Sequence, residues 1–152
     1  MTLFVVERGA KGLEAAPARL VDASLASRLR FEGVEVDADA VIGEVDGGRA
    51  SLARVLNAVR VGSSSELLGV GAGAMALTVD YLKTRKQFGQ PIGAFQALQH
   101  RTAHLYSEME IARSAALKAQ QLLDAGDPEA ERAVHVAKGH GGPCCGCMAA
   151  SA

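Results

Sequence analysis

The chain has 152 residues, with 16 Lys and Arg against 17 Asp and Glu and a formal charge of -1, so no net field draws it to nucleic acid or to an anionic membrane. No apolar run approaches the roughly 20 residues needed to span a bilayer, and the N-terminus has no basic segment followed by an apolar stretch, which predicts a cytoplasmic protein. Trp is absent and aromatics are 4% of residues, while Ala and Gly abound; this favours closely packed helices over an aromatic core. The three cysteines, Cys144, Cys145 and Cys147, crowd into the last nine residues, too close together to form a disulfide framework.

Thr2 to Glu7 is a short β-branched and aromatic run, stopped by the turn sequence Arg8-Gly9-Ala10-Lys11-Gly12. Ala18 to Asp22 and Ser27 to Val36 read as further strands of an antiparallel sheet, the second with Leu29 and Phe31 alternating against Arg28, Arg30 and Glu32. So small a sheet has little to cover its apolar face, and a missing N-terminal portion is one explanation. Asp37 to Gly48 is a connecting loop with an apolar anchor at Val41-Ile42.

From Arg49 to Lys83 the period becomes helical, with Leu52, Val55, Val59, Gly62, Gly69, Gly73, Ala76 and Tyr81 expected on one packed face. Glycines cost about 1 kcal/mol each inside a helix; the expected return is close approach of a neighbouring helix at Gly62, Gly69 and Gly73, or a kink near Val61 to Ser65. A second helix is predicted from Ala94 to Ala125, its buried face Leu98, Thr102, Leu105, Met109, Ala112, Ala116, Ala119 and Leu123. Asp127-Pro128-Glu129 restarts a third, with Asp as cap and Pro at the first helical position, predicted to end at Lys138 and dissolve into an irregular tail. The fold class is therefore α+β: residues 1–48 a small β segment and linker, 49–138 an incomplete up-and-down helical bundle, and 139–152 a tail that a shifted reading frame would explain. A bundle with two such long helices and one short one is unfinished, or completed by another chain.

Few motifs carry chemistry. Gly69-Val-Gly-Ala-Gly lies inside a helical pattern without a preceding strand and does not fit a dinucleotide loop. His140 with the three cysteines lacks the ligand spacing of a zinc site, so no metal is expected. His100, His104 and His135 read as helix-surface residues, and Glu66 as a solvated carboxylate. Arg85 ends a long helix beside a Gly-Pro corner, where a guanidinium suits either a phosphate or the helix C-terminal charge. Residue chemistry leaves both open.

The corner Tyr81 to Gln99, with Arg85, Phe88, Gly89, Pro91, Ile92, Phe95 and Gln96 in that order, resembles the C-terminal helical domain of the acyl-CoA dehydrogenase family. The resemblance runs from about Leu3 to Lys138, with residues 1–48 similar to the end of that family's middle β domain. It implies a FAD-dependent oxidoreductase, usually a tetramer, that removes hydrogens from the α and β carbons of an acyl-CoA, so the implied partners are acyl-CoA and other subunits of a homo- or hetero-oligomer. By the same resemblance Arg85 and Gln96 contact the FAD diphosphate of a neighbouring subunit, Phe88 and Phe95 line the adenine side, and Arg60 lies near the acyl-CoA, within a substrate-facing segment Asn57 to Arg60. Val59 occupies the position where a minority of the family carries its catalytic glutamate. The region bearing the usual glutamate has no counterpart, so no catalytic residue is assigned and the isolated chain is expected to be inactive, acting either as a fragment of such an enzyme, as a non-catalytic partner, or as a structural helical oligomer.

Overall fold

The computed structural model describes the backbone of residues 1–149 and side chains as far as residue 142. The chain divides into two units, Met1–Ala53 and Arg54–Ala152.

In the first unit, β1 (Leu3–Phe4) pairs antiparallel with β4 (Val41–Ile42), so the apolar anchor of the connecting loop is itself a strand. β2 (Leu13–Arg19) and β3 (Leu25–Phe31) form a separate antiparallel hairpin, with Leu13 opposite Phe31 and Ala15 opposite Leu29. The predicted single sheet is thus replaced by separate two-stranded ladders. Of the strand expected over Ala18 to Asp22, only Ala18 and Arg19 are extended, as the end of β2, and Val21 and Asp22 form the turn. Asp22 Oδ1 accepts hydrogen bonds from the Ser24 amide at 3.0 Å and the Ser24 hydroxyl at 2.7 Å, and Ala23 adopts φ 66°; an Asp side chain bonding two residues on favours reversal over extension. These bonds, the hydroxyl first, hold the Asp22 carboxyl below the ordinary carboxylate value.

Helix α1 (Gly48–Thr84) covers the helix expected from Arg49 to Lys83 and is helical throughout. Hydroxyls of Ser63 and Ser64 donate to the Arg60 carbonyl, and that of Ser65 to the Val61 carbonyl, alongside the helical bonds. After a hairpin of β5 (Lys86–Gln87) and β6 (Gln90–Pro91), α2 runs Gln96–Asp124 and α3 Ala130–Ala149. Asp127 caps the third helix as predicted, its Oδ1 accepting from the Glu129 amide at 2.8 Å. The predicted end at Lys138 is corrected: helical backbone continues to Ala149, through residues expected to be irregular.

The core lies among the three helices. Met75 packs with Leu105, Met109 and Ala112, and Val61 with Ala116, Ala119, Val134 and Ala137. On α2 the buried residues Leu105, Met109, Ala112, Ala116 and Ala119 are on the predicted face. Their alanines allow α3 to lie close, and Val134 is fully enclosed.

On α1 the predicted face is wrong. Asn57, Val61, Ser64 and Met75 are buried, whereas Val55, Val59 and Tyr81 are each more than half exposed. A side chain added at Gly62, Gly69 or Gly73 would meet nothing within 4 Å, so these glycines serve no close helix contact among the described residues. The reason is that α1 carries apolar or small residues on every side, so spacing alone does not mark which stripe is inside.

Candidate functional site

The corner between α1 and α2 is built by backbone geometry. The Arg85 amide donates to the Tyr81 carbonyl at 2.8 Å, continuing the last turn of α1, and the Arg85 carbonyl accepts from the Ile92 amide at 2.8 Å, closing the hairpin. Its two-residue loop is Phe88-Gly89, with φ of 53° and 81°. Both positive values are those of the hairpin turn that matches strand twist. Glycine adopts that conformation freely; phenylalanine is strained there. The strain displays Phe88, which is 91% exposed and meets Phe95 edge to face with ring centroids 6.1 Å apart.

Arg85 is exposed beside this pair and has no ion-pair partner among the described residues; the nearby pair of the last helical turn is Lys83 with Asp80 at 4.0 Å. Gln96 is exposed at the first position of α2. Arg85, Phe88, Phe95 and Gln96 therefore gather at one corner, offering a guanidinium fork, aromatic surface and an amide. A planar fork and stacking surface suit a dinucleotide diphosphate and its base.

One residue at this corner was not anticipated. Gly93 sits so close to α1 that an added Cβ would lie 2.9 Å from the Leu82 carbonyl oxygen, and its own carbonyl accepts from Gln99 Nε2 at 2.8 Å. Gly93 sets how tightly the corner folds back; only its place between Pro91 and Phe95 could have suggested it. Beside it an open groove of about 790 Å³ is lined by residues including Met75, Val79, Leu82, Pro91, Thr102 and Tyr106. None of the four predicted cofactor residues lines it.

Arg60 stands apart on α1, 25 positions before Arg85, which directly follows that helix, roughly 37 Å away at 1.5 Å per residue. It is half-buried, and its Nη1 donates to Asn57 Oδ1 at 3.1 Å. Val59 is 62% exposed and Glu66 is exposed; no carboxylate adjoins Arg60 at ion-pair distance among the described residues. His100, His104 and His135 are exposed, as expected of helix-surface residues. The cysteine side chains of the rejected metal motif lie outside the described residues.

Fold and corner together define a helical bundle domain with an exposed cationic and aromatic corner between its first two long helices. The acyl-CoA dehydrogenase C-terminal domain family matches residues 46–145, and the chain belongs to that family. It is 35% identical to the mitochondrial short/branched chain specific acyl-CoA dehydrogenase of Bos taurus over 131 residues, covering 84% of this chain and 30% of that protein. With the cyclohex-1-ene-1-carbonyl-CoA dehydrogenase of Geobacter metallireducens it shares 34% identity over 133 residues, 86% of this chain and 35% of the relative. The butyryl-CoA dehydrogenase structure from Megasphaera elsdenii superposes with a TM-score of 0.83 at 28% identity, over 94% of this chain and 38% of that one. The chain thus spans about a third of the length of the curated relatives it matches. The family match also continues past Lys138, where the resemblance was expected to stop.

Proposed function

We propose that this chain works as part of an acyl-CoA dehydrogenase, an oxidoreductase that desaturates the α,β bond of an acyl-CoA thioester with FAD. The observation that carries this reading is the corner: an exposed, unpaired Arg85 beside an aromatic held out at the cost of backbone strain. We assign residues 1–48 to the end of a middle β domain and the helices that follow to the C-terminal helical domain.

The residues present fit one half of a FAD site. Arg85 would bind the diphosphate with its fork, Gln96 would donate a further hydrogen bond from its amide, and Phe88 with Phe95 would offer aromatic surface to the adenine. The chemistry supplied by bound FAD is acceptance of the hydride leaving the β carbon. Arg60 would face the acyl-CoA from the far end of α1. Val59 cannot take a proton from the α carbon, so the base must come from residues other than these, and the chain alone does not turn over substrate.

The flavin and substrate contacts require other subunits or segments, and the exposed apolar residues of α1 (Val55, Val59, Leu77 and Tyr81) favour assembly in a homo- or hetero-oligomer. No helix among the described residues is long and apolar enough to cross a membrane, and we place the protein in the cytoplasm.

The test is size-exclusion chromatography of the purified chain with added FAD, monitored by visible flavin absorbance. Flavin co-migrating with an oligomer, lost on Arg85→Ala at unchanged Tm, supports the reading. Flavin retained by that variant, or measurable acyl-CoA turnover by the pure chain, overturns it.

A further inference from the structure

His140 of α3 meets Glu108 of α2 with 3.5 Å between the imidazole Nε2 and the carboxylate Oε2. That Nε2 is closed to solvent and has no hydrogen-bond partner among the described residues, although both side chains are partly exposed. A buried polar atom without a hydrogen bond calls for another kind of partner, a bound ion included. The separation fits an ion: two ligands about 2.0 Å from one tetrahedral zinc stand about 3.3 Å apart without bonding to each other.

Two ligands are too few, and no group of three ligating side chains gathers among the described residues. The course of α3 supplies a third. Helical backbone continues to Ala149 instead of ending at Lys138, so Cys144 occupies the position one turn beyond His140 on the same helix face. The linear spacing of a zinc finger is still absent, but on a helix the spacing that brings two ligands to one metal is i and i+4. Cys145 falls about 100° further round the helix. Cys147 shares the face of His140 but lies about 10 Å from it along the axis, further than one metal bridges between a histidine and a cysteine.

The donors are an imidazole nitrogen, a carboxylate and a thiol. They suit a borderline-soft divalent cation, whose charge the carboxylate and the thiolate together balance; magnesium and calcium favour oxygen alone.

We propose that Glu108, His140 and the thiolate of Cys144 hold a zinc-class divalent cation, with water as the fourth ligand, and that the metal clasps α3 to α2. The proposal is independent of the flavin reading of the corner.

The test titrates the reduced full chain with Co2+, whose visible spectrum reports tetrahedral geometry and whose near-ultraviolet charge-transfer band reports a bound thiolate. Both signals should saturate at about one equivalent and be displaced by Zn2+. Cys144→Ser should abolish the charge-transfer band and Cys145→Ser should leave it. His140→Gln and Glu108→Gln should each weaken Co2+ binding at least about tenfold, and His140→Cys, which restores a ligand, should recover it. Zn2+ should raise the Tm of the parent and not that of His140→Gln, with circular dichroism showing both folded without metal. No charge-transfer band in the parent, or a band kept by Cys144→Ser, overturns the site. A band and affinity unchanged in His140→Gln and Glu108→Gln overturn it as well, because the cysteines would then be binding metal on their own.

Discussion

Replacing Val134 with alanine removes two methyl groups from a site that is completely closed to solvent, where α3 meets Val61 of α1 and Ala116 and Ala119 of α2. The lost transfer free energy is about 1.6 kcal/mol at 0.8 per carbon. A residual cavity of about 50 Å³ would add roughly 1.2 kcal/mol if nothing relaxed. Partial collapse brings the expected total to about 2–3 kcal/mol, a fall in Tm of roughly 5–10 °C for a chain of this size. The control is Val136→Ala, two residues along the same helix and 58% exposed, for which a change within about 0.5 kcal/mol is expected. Urea and thermal unfolding followed by circular dichroism measure both. Equal losses, or a larger loss at Val136, would refute the placement of α3 and with it the three-helix core.

Other substitutions probe the corner and the turns. Phe88→Asn should stabilise the chain by about 1 kcal/mol or more, because asparagine tolerates φ of 53°, while weakening flavin binding; a variant that lost stability would show that Phe88 is not strained. Gly93→Ala drives a Cβ against the Leu82 backbone and should cost about 1–3 kcal/mol by chemical denaturation, whereas Gly69→Ala on open helix surface should stabilise by up to about 1 kcal/mol. Because the Asp22 carboxyl titrates below its unfolded value, its contribution to the hairpin is present above the ordinary carboxylate range and is lost as pH falls through the folded pKa. An NMR titration should show its midpoint rise in Ser24→Ala, and an unmoved midpoint would remove the hydroxyl as the main cause.

Much of this was written locally. The buried face of α2 could be read because polar residues such as Arg101, His104, Glu108 and Lys118 mark its other side. Asp127 announced the third helix because a short acceptor side chain satisfies an orphan amide whatever the tertiary context. The corner was legible for the same reason: Gly89 and Pro91 favour a tight reversal through backbone sterics, although Phe88 is strained within it.

Where several readings satisfied the local rules, tertiary structure decided. Spacing offered α1 a face through Val55, Val59 and the glycines, and the chain instead buries Asn57, Val61, Ser64 and Met75. Nothing local forbids either choice, since the helix is small or apolar all round; only the alanine-lined surfaces of α2 and α3 select the stripe that fits. The same selection turned Asn57 inward beneath Arg60, a pairing that spacing permits on any helix but that matters only once one face is closed to water. The sequence by itself determined where each helix begins, the Asp127 cap and the corner, because each depends on neighbours in the chain. Which side of α1 is core, and so how Arg60 is held, followed from packing between distant residues that no local rule encodes.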